Sequence, residues 1–404
     1  MLIDDHNTDD SESMPSAKCR MVVIGIGGGG CNALTRITAD WQDGPDAIAV
    51  NTDAQALAAC NVAHKVQIGR HLTQGLGAGG DAAAGKLAAD DDADILRSLV
   101  TDADLAVIVT ALGGGTGTGA APVMARLARE EGAMTLCFAT LPFVFEGESR
   151  REQAEQGLRA LRMNCDVIVC LANEHLLEMV GEQTSLANAF TKSDAMLGVA
   201  LRALWRLLDQ TGIINMSFAD LRHLVENSGG ACSFGYGEGT GADKAVRAVS
   251  SIMKSPMLEH GSVLNHAGAL MVHITGGPDL TLIDIQKIVS QITAVARKDV
   301  RMFMGATVDE RWQNRVALTV LAAENWHDHR GEASGLELFG GAAEPGAAKK
   351  ETSLKPARVT QPDLNFDPVD KGRLFRGIEP TLYEGEDLDI PTYVRRGIKL
   401  SFEK

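Results

Sequence analysis

Residues 113–119 read Gly-Gly-Gly-Thr-Gly-Thr-Gly, between an apolar run at 105–112 and a helix-like run at 120–131. Five glycines let the backbone turn tightly and approach a ligand with no Cβ in the way. A strand-to-helix junction aims unpaired backbone N–H groups at that ligand. The helix N-terminus adds partial positive charge, which favours phosphate. No Gly-Lys-Ser/Thr follows, so this is not the lysine-bearing loop of ordinary nucleotide hydrolases. Here the amides carry the charge, helped by the hydroxyls of Thr116 and Thr118 and by a magnesium ion. A flexible hinge can share this composition, but hinges do not usually sit between a buried strand and a helix.

The surrounding pattern gives the architecture. Met21–Ile26 and the stretches 47–51, 105–110, 134–139 and 166–171 are continuous apolar runs, alternating with helical stretches at 32–39, 80–99 and 150–162. Strands apolar on both faces predict a parallel sheet covered by helices on each side. A long helix is predicted over 186–208, with Leu186, Phe190, Leu197, Leu201, Leu204 and Leu208 at helical spacing. A second, smaller α+β domain is predicted beyond it, with strands at 269–275, 301–307 and 315–322 and a helix at 282–296. The expected boundaries are a disordered tail 1–18, a nucleotide-binding domain 19–185, the central helix 186–209 and the second domain 210–325. A Gly-, Ala-, Pro- and charge-rich linker at 326–386 and a terminal peptide 387–404 complete the chain.

Two further glycine clusters accompany the first. Gly25-Ile-Gly-Gly-Gly-Gly30 follows the first strand, and Gly75-Leu-Gly-Ala-Gly-Gly80 follows another. The first cluster, with Asp53 ending the second strand, also fits a dinucleotide-binding unit in which Asp53 accepts from a ribose hydroxyl. A nicotinamide dinucleotide leaves the 113–119 loop without a role. Three glycine loops on one sheet edge suit a polyphosphate better.

At this point the chain resembles the FtsZ branch of the tubulin/FtsZ superfamily of GTP-binding, filament-forming proteins. The matching segments are 23–33, Ala-Val-Asn-Thr-Asp-Ala-Gln-Ala-Leu at 49–57, 75–80, 113–123, Pro-Phe-Val-Phe-Glu-Gly-Glu-Ser-Arg at 142–150, 212–221 and Asp-Ile-Pro-Thr-Tyr at 389–393. The resemblance implies that Gly28, Gly29, Gly30 and Asn32 line the phosphates and sugar, with Asn51 and Asp53 beside them. It implies that Ala78, Gly79 and Gly80 sense the γ-phosphate and that Gly114, Gly115, Thr116, Gly117 and Thr118 cradle the phosphates. Glu146 and Arg150 fall at the ribose, Phe190 stacks on guanine, and Asn173 adds a contact near the base. Asp194, one turn after Phe190, can accept from guanine N1–H and N2–H, which adenine lacks. Plainer readings stand beside these: Phe190 as core, Glu146–Arg150 as a surface pair, Asp53 as a turn former.

The resemblance also implies GTP/GDP and Mg2+ as ligands, head-to-tail self-assembly, hydrolysis at the subunit interface, and a cytoplasmic place at the division site. It makes 387–404 a grip for a division adaptor, with the membrane reached only indirectly. The family's catalytic loop reads Asn-x-Asp-Phe-Ala-Asp and serves the next subunit's nucleotide. Here it reads Asn215-Met-Ser217-Phe-Ala-Asp220, so Ser217 replaces one of two carboxylates. A serine orients water but is no base near neutral pH, and losing such a group costs roughly 10²–10⁴-fold. A GTP-binding scaffold or regulatory paralogue with slow hydrolysis is therefore the alternative. Ala111, Asp81, Cys31 and Leu171-Ala-Asn173 also depart from the family pattern.

Composition narrows the rest. A formal net charge of −15 opposes a general nucleic-acid role. Seven cysteines without a CxxC pair suit a reducing compartment. The polar, acidic start does not resemble a signal peptide, and no apolar run reaches membrane-spanning length.

Overall fold

The computed structural model describes residues 19–39, 41, 44–174, 185–209, 212–230, 232–324, 326, 382–383 and 386–387. The expected tail 1–18 and nearly all of the expected linker and terminal peptide lie outside them. The chain forms two compact units, residues 1–333 and 334–404.

In chain order the first unit begins β1 (Met21–Ile26), α1 (Gly27–Thr38), β2 (Asp46–Asn51), α2 (Ala54–Ala59), β3 (His64–Gln67) and α3 (Arg70–Thr73). Then come α4 (Ala82–Asp91), α5 (Ala93–Ser98), β4 (Leu105–Ala111), α6 (Gly115–Glu130), β5 (Met134–Leu141), α7 (Glu148–Asn164) and β6 (Val167–Ala172). The six strands form one parallel sheet in the order β3-β2-β1-β4-β5-β6. β1 and β4 pair from Met21 opposite Leu105 to Ile26 opposite Thr110. Strand order reverses at this pair. Leu34 and Ile37 of α1 pack on the face carrying Val23 and Val107, while Met124 and Leu127 of α6 pack on the face carrying Ile24 and Ile108. Helices leaving to opposite faces open a crevice at the carboxyl ends of the strands.

The long helix α8 (Leu186–Asp209) follows, then α9 (Phe218–Asn227), β7 (Cys232–Thr240), α10 (Lys244–Ile252), β8 (Ala269–Gly276), α11 (Leu282–Val295), β9 (Arg301–Val308) and β10 (Arg315–Ala323). The second sheet runs β7-β10-β8-β9; β8 and β9 are parallel and the other pairings antiparallel. Leu197, Leu201, Leu204 and Leu207 of α8 share one core with Val107 of the first sheet and with Met271 and Leu321 of the second. Each such burial contributes roughly 1.5–3 kcal/mol, and the long helix that the spacing predicts is present as α8. Leu207 takes a buried place and Leu208 is only partly buried, the reverse of the expected assignment.

Other expectations need correction. The helix expected over 80–99 is two, α4 and α5, because Asp92 leaves helical geometry (φ −102°, ψ 27°) and accepts the Gly69 N–H at 2.7 Å. Helix α6 starts at Gly115 instead of residue 120, so most of the glycine string is its first turns. Strand β7 was not foreseen, since a glycine at every second position reads as loop. A Cβ at Gly237 would lie 2.5 Å from the Ala248 carbonyl oxygen of α10, and one at Gly239 only 1.9 Å from that of Lys244. The glycines let a helix lie directly on the strand. Trp326, placed in the linker by composition, packs against Phe303 with ring centroids 5.8 Å apart. In the second unit β11 (Leu382–Tyr383) pairs antiparallel with β12 (Glu386–Asp387), within a stretch expected to be linker up to 386.

Candidate functional site

A cavity of about 630 Å³ opens at the carboxyl ends of β1, β2, β4 and β5, a size usual for small-molecule sites. Gly28, Gly29, Gly30, Asn32, Asn51, Asp53, Ala78, Gly79, Gly114, Gly115, Thr116, Gly117, Glu146, Arg150, Asn173, Phe190 and Asp194 all line it. Two expected residues do not. The Gly80 carbonyl accepts from the Gln153 amide at 2.9 Å, and the buried Thr118 hydroxyl accepts the Gly113 N–H at 2.9 Å. Thr118 closes the turn from inside and does not line this cavity.

One end of the cavity is built from two helix N-termini. Gly27 has φ +74°, and a Cβ there would lie 2.7 Å from the Gly117 nitrogen, so glycine is what lets α1 and α6 start side by side. Neither N-terminus has a side-chain cap, which leaves its amides to whatever the cavity holds. Asn51 Nδ2 is buried without a protein partner, while Asn51 Oδ1 accepts the Thr52 N–H at 2.9 Å. A buried donor without a partner is costly, and an anionic oxygen placed in the cavity would satisfy it. The Thr116 and Thr52 hydroxyls are bonded at 2.6 Å, which joins α6 to the end of β2.

Asp53 caps α2, accepting from the Gln55 and Ala56 N–H groups at 2.9 Å each. The turn-forming reading of Asp53 therefore holds alongside its place in the lining. Asp81, a departure that would repel phosphate if it faced inward, instead caps α4 through the Ala83 N–H at 2.8 Å. The departure at Cys31 is filled by a buried thiol that donates to the Gly25 carbonyl at 3.5 Å. Gln153 of α7, which the sequence did not single out, donates to Gly80 O at 2.9 Å and Gly114 O at 3.0 Å. It ties two glycine loops together.

The other end suits a flat ring. Phe190 is half-buried, edge-on to Phe143 with centroids 5.4 Å apart, and faces the cavity. Asn173 is buried and its Oδ1 accepts from the Ser193 hydroxyl at 3.3 Å. Asp194 forms an ion pair with Arg36 of α1. Arg36 lines the cavity too and was also missed, although it stands one turn beyond Asn32. Glu146 pairs with Arg150 at 2.7 Å and accepts the Phe143 N–H at 2.9 Å. The lining carboxylates Asp53, Glu146 and Asp194 are thus all engaged.

The catalytic candidates Asn215, Ser217 and Asp220 do not line this cavity. They follow α8, whose Asp194 lines the cavity beside Phe190 and whose last residue is Asp209. Fifteen residues of helix span about 22 Å at ~1.5 Å each. Ser217 caps α9 and Asp220 closes a capping box with it.

Residues 20–181 match the GTPase domain of the tubulin/FtsZ family, and residues 230–325 match the FtsZ family C-terminal domain. An FtsZ of M. jannaschii, solved as an empty dimer, is 36% identical with a TM-score of 0.69, covering 76% of this chain and 88% of that one. CetZ2 from Haloferax volcanii, solved as a GTPγS-bound protofilament, is 21% identical with a TM-score of 0.61, covering 77% and 95%. CetZ1 from the same organism, a GDP-bound monomer, is 19% identical with a TM-score of 0.62, covering 75% and 93%; at such identity these two show the fold. The two helix N-termini, the unsatisfied Asn51 amide and the 36% identity to an FtsZ agree: this chain belongs to the tubulin/FtsZ family of GTPases.

Proposed function

We propose that this protein assembles head to tail into GTP-dependent filaments of cell division, the loop 215–220 of one subunit completing the nucleotide cavity of the next. One observation carries the reading. The cavity's own carboxylates are engaged, and Asp220, which does not line the cavity, comes from a loop that follows a helix running about 22 Å on from Asp194. A second copy brings the missing carboxylate. Exposed apolar side chains support contacts at both places: Leu76, Val144 and Phe145 near the cavity, Ile213, Leu282 and Ile283 in the second domain. A head-to-tail contact that does not close yields an open filament.

In this reading the α1 and α6 amides and Asn51 hold phosphate, Phe190 and Asp194 hold guanine, and Asp220 orients the attacking water. Among the described residues no three His, Cys, Asp or Glu side chains gather to hold a metal. Mg2+ keeps much of its water and rides on phosphate oxygens, so it enters with the nucleotide. Among the described residues no helix is long and apolar enough to cross a membrane. The peptide 387–404 binds a division adaptor, which places the protein in the cytoplasm at the division site. Ser217 favours a second form of the same reading, a GTP-binding scaffold or regulatory paralogue with slow hydrolysis.

The test is GTP hydrolysis measured against protein concentration alongside filament pelleting. Activity per molecule should rise steeply above a threshold that coincides with the pellet. Constant specific activity in protein shown to be monomeric overturns the interface reading. Deleting 387–404 should leave filaments intact and abolish recruitment to the division site; retained localisation overturns the adaptor assignment.

A further inference from the structure

Helix α1 lays one face along the cavity. Gly28, Asn32 and Arg36 stand at i, i+4 and i+8, and all three line it. Eight residues of helix cover about 12 Å, comparable with the reach from the phosphates of an extended nucleotide to the outer edge of its base. The phosphate end of this face is backbone amide and the middle is a carboxamide. The far end is a guanidinium, ion-paired through Nη1 to Asp194 Oδ2. The Asp194 side chain is 12% exposed and that of Arg36 46%, so the carboxylate is mostly buried while much of the Arg36 side chain stays open in the lining. A guanidinium has five donors in a rigid fork, and the bond to Asp194 uses one.

The pair matches the edge of one base. Guanine presents, side by side, an N2 amine, N1–H and the O6 carbonyl. A carboxylate accepts from the first two, and a guanidinium beside it donates to the third. Adenine reverses the last two positions: its N1 accepts, facing a carboxylate, and its N6 amine donates, facing a cation. We propose that Arg36 is a specificity-determining residue that donates to O6 of the bound base, so that Arg36 and Asp194 together read three neighbouring positions. This rests on the guanine-nucleotide reading of the cavity.

The test is displacement of a fluorescent GTP analogue from the full-length protein, kept below its assembly concentration, by GTP, ITP and ATP. Hypoxanthine keeps O6 and N1–H and lacks the N2 amine. Arg36→Met should therefore weaken GTP and ITP alike, by about fivefold to tenfold, leaving their ratio unchanged. ATP affinity should stay the same or rise, so the GTP-to-ATP preference falls by about the same factor. Arg36→Lys, which keeps the charge beside Asp194, should fall between the two, and carries the test if the methionine variant does not fold. Unchanged GTP affinity in both variants overturns the proposal. So does an equal loss for GTP and ATP, which means Arg36 only braces the pocket, or a changed GTP-to-ITP ratio, which means it acts through Asp194. Parental protein that binds all three alike overturns instead the guanine reading itself.

Discussion

The Ser217 hydroxyl and the Ser217 backbone N–H both donate to Asp220 Oδ2, each at 2.8 Å. Asp220, the one carboxylate this loop retains, is therefore held against the start of its own helix. A serine there supplies a donor that an aspartate lacks. Ser217→Asp should raise GTP turnover about tenfold or more. It adds a second carboxylate and turns Asp220 outward, and helix capping is kept because Asp caps about as well as Ser. Asp220→Ala should lower turnover by roughly 10²-fold or more. Neither residue lines the cavity, so GTP affinity of the monomer should be unaltered in both. Phosphate release beside fluorescent-nucleotide titration decides this; parental turnover in Asp220→Ala would remove Asp220 from the chemistry.

Gln153 holds the loops 75–80 and 113–119 together through two carbonyls, Gly80 at 2.9 Å and Gly114 at 3.0 Å. A hydrogen bond contributes about 1 kcal/mol net. Gln153→Ala should therefore weaken GTP binding by about fivefold while moving the thermal midpoint little, because the side chain is only half-buried. A large drop in melting temperature with intact affinity would show a structural brace in place of a loop clamp.

His273 is 3% exposed in the middle of β8, bonded to the Thr307 hydroxyl at 3.0 Å. Burial pushes its pKa down from 6.5 to about 4. The unfolded chain then binds the extra proton between those values, so stability present above pH ~6.5 is lost as pH falls toward ~4. At pH 5 the loss is about 2 kcal/mol, from ~1.36 kcal/mol per pKa unit. Urea unfolding at pH 7.5 and pH 5 should show this extra loss in the parent and not in His273→Gln. Equal pH sensitivity in the two proteins would place the acid-sensitive group elsewhere.

Burial also raises the thiols of Cys31, Cys165 and Cys232 to about 12. A thiol this far from ionisation reacts slowly. In native protein a thiol-reactive chromophore should label the partly exposed Cys19 and Cys170 first. All seven cysteines should react once urea unfolds the chain. Rapid labelling of Cys31 in the native state would mean that α1 opens readily.

The alternation of apolar runs with helical stretches, the three glycine loops and the spacing of Phe190 and Asp194 were legible in the chain, because each is local: neighbouring residues dictate a strand, a turn or a helix face. The loop 215–220 was singled out by its resemblance to the family motif, which also marks the serine where the family has a carboxylate. What the chain alone did not disclose depends on partners distant in sequence. The glycines of β7 looked like loop until α10 lay on them, and the helix at 80–99 looked continuous until Gly69 captured the Asp92 carboxylate. Thr118 carried the right chemistry for a ligand, but packing turned its hydroxyl onto Gly113. Arg36 and Gln153 carried no motif at all. The first becomes part of the site only because α8 brings Asp194 beside α1, and the second because α7 crosses the ends of two loops. Side-chain type and period are properties of a segment; which hydrogen-bond partner a polar group finds is settled only when remote segments pack.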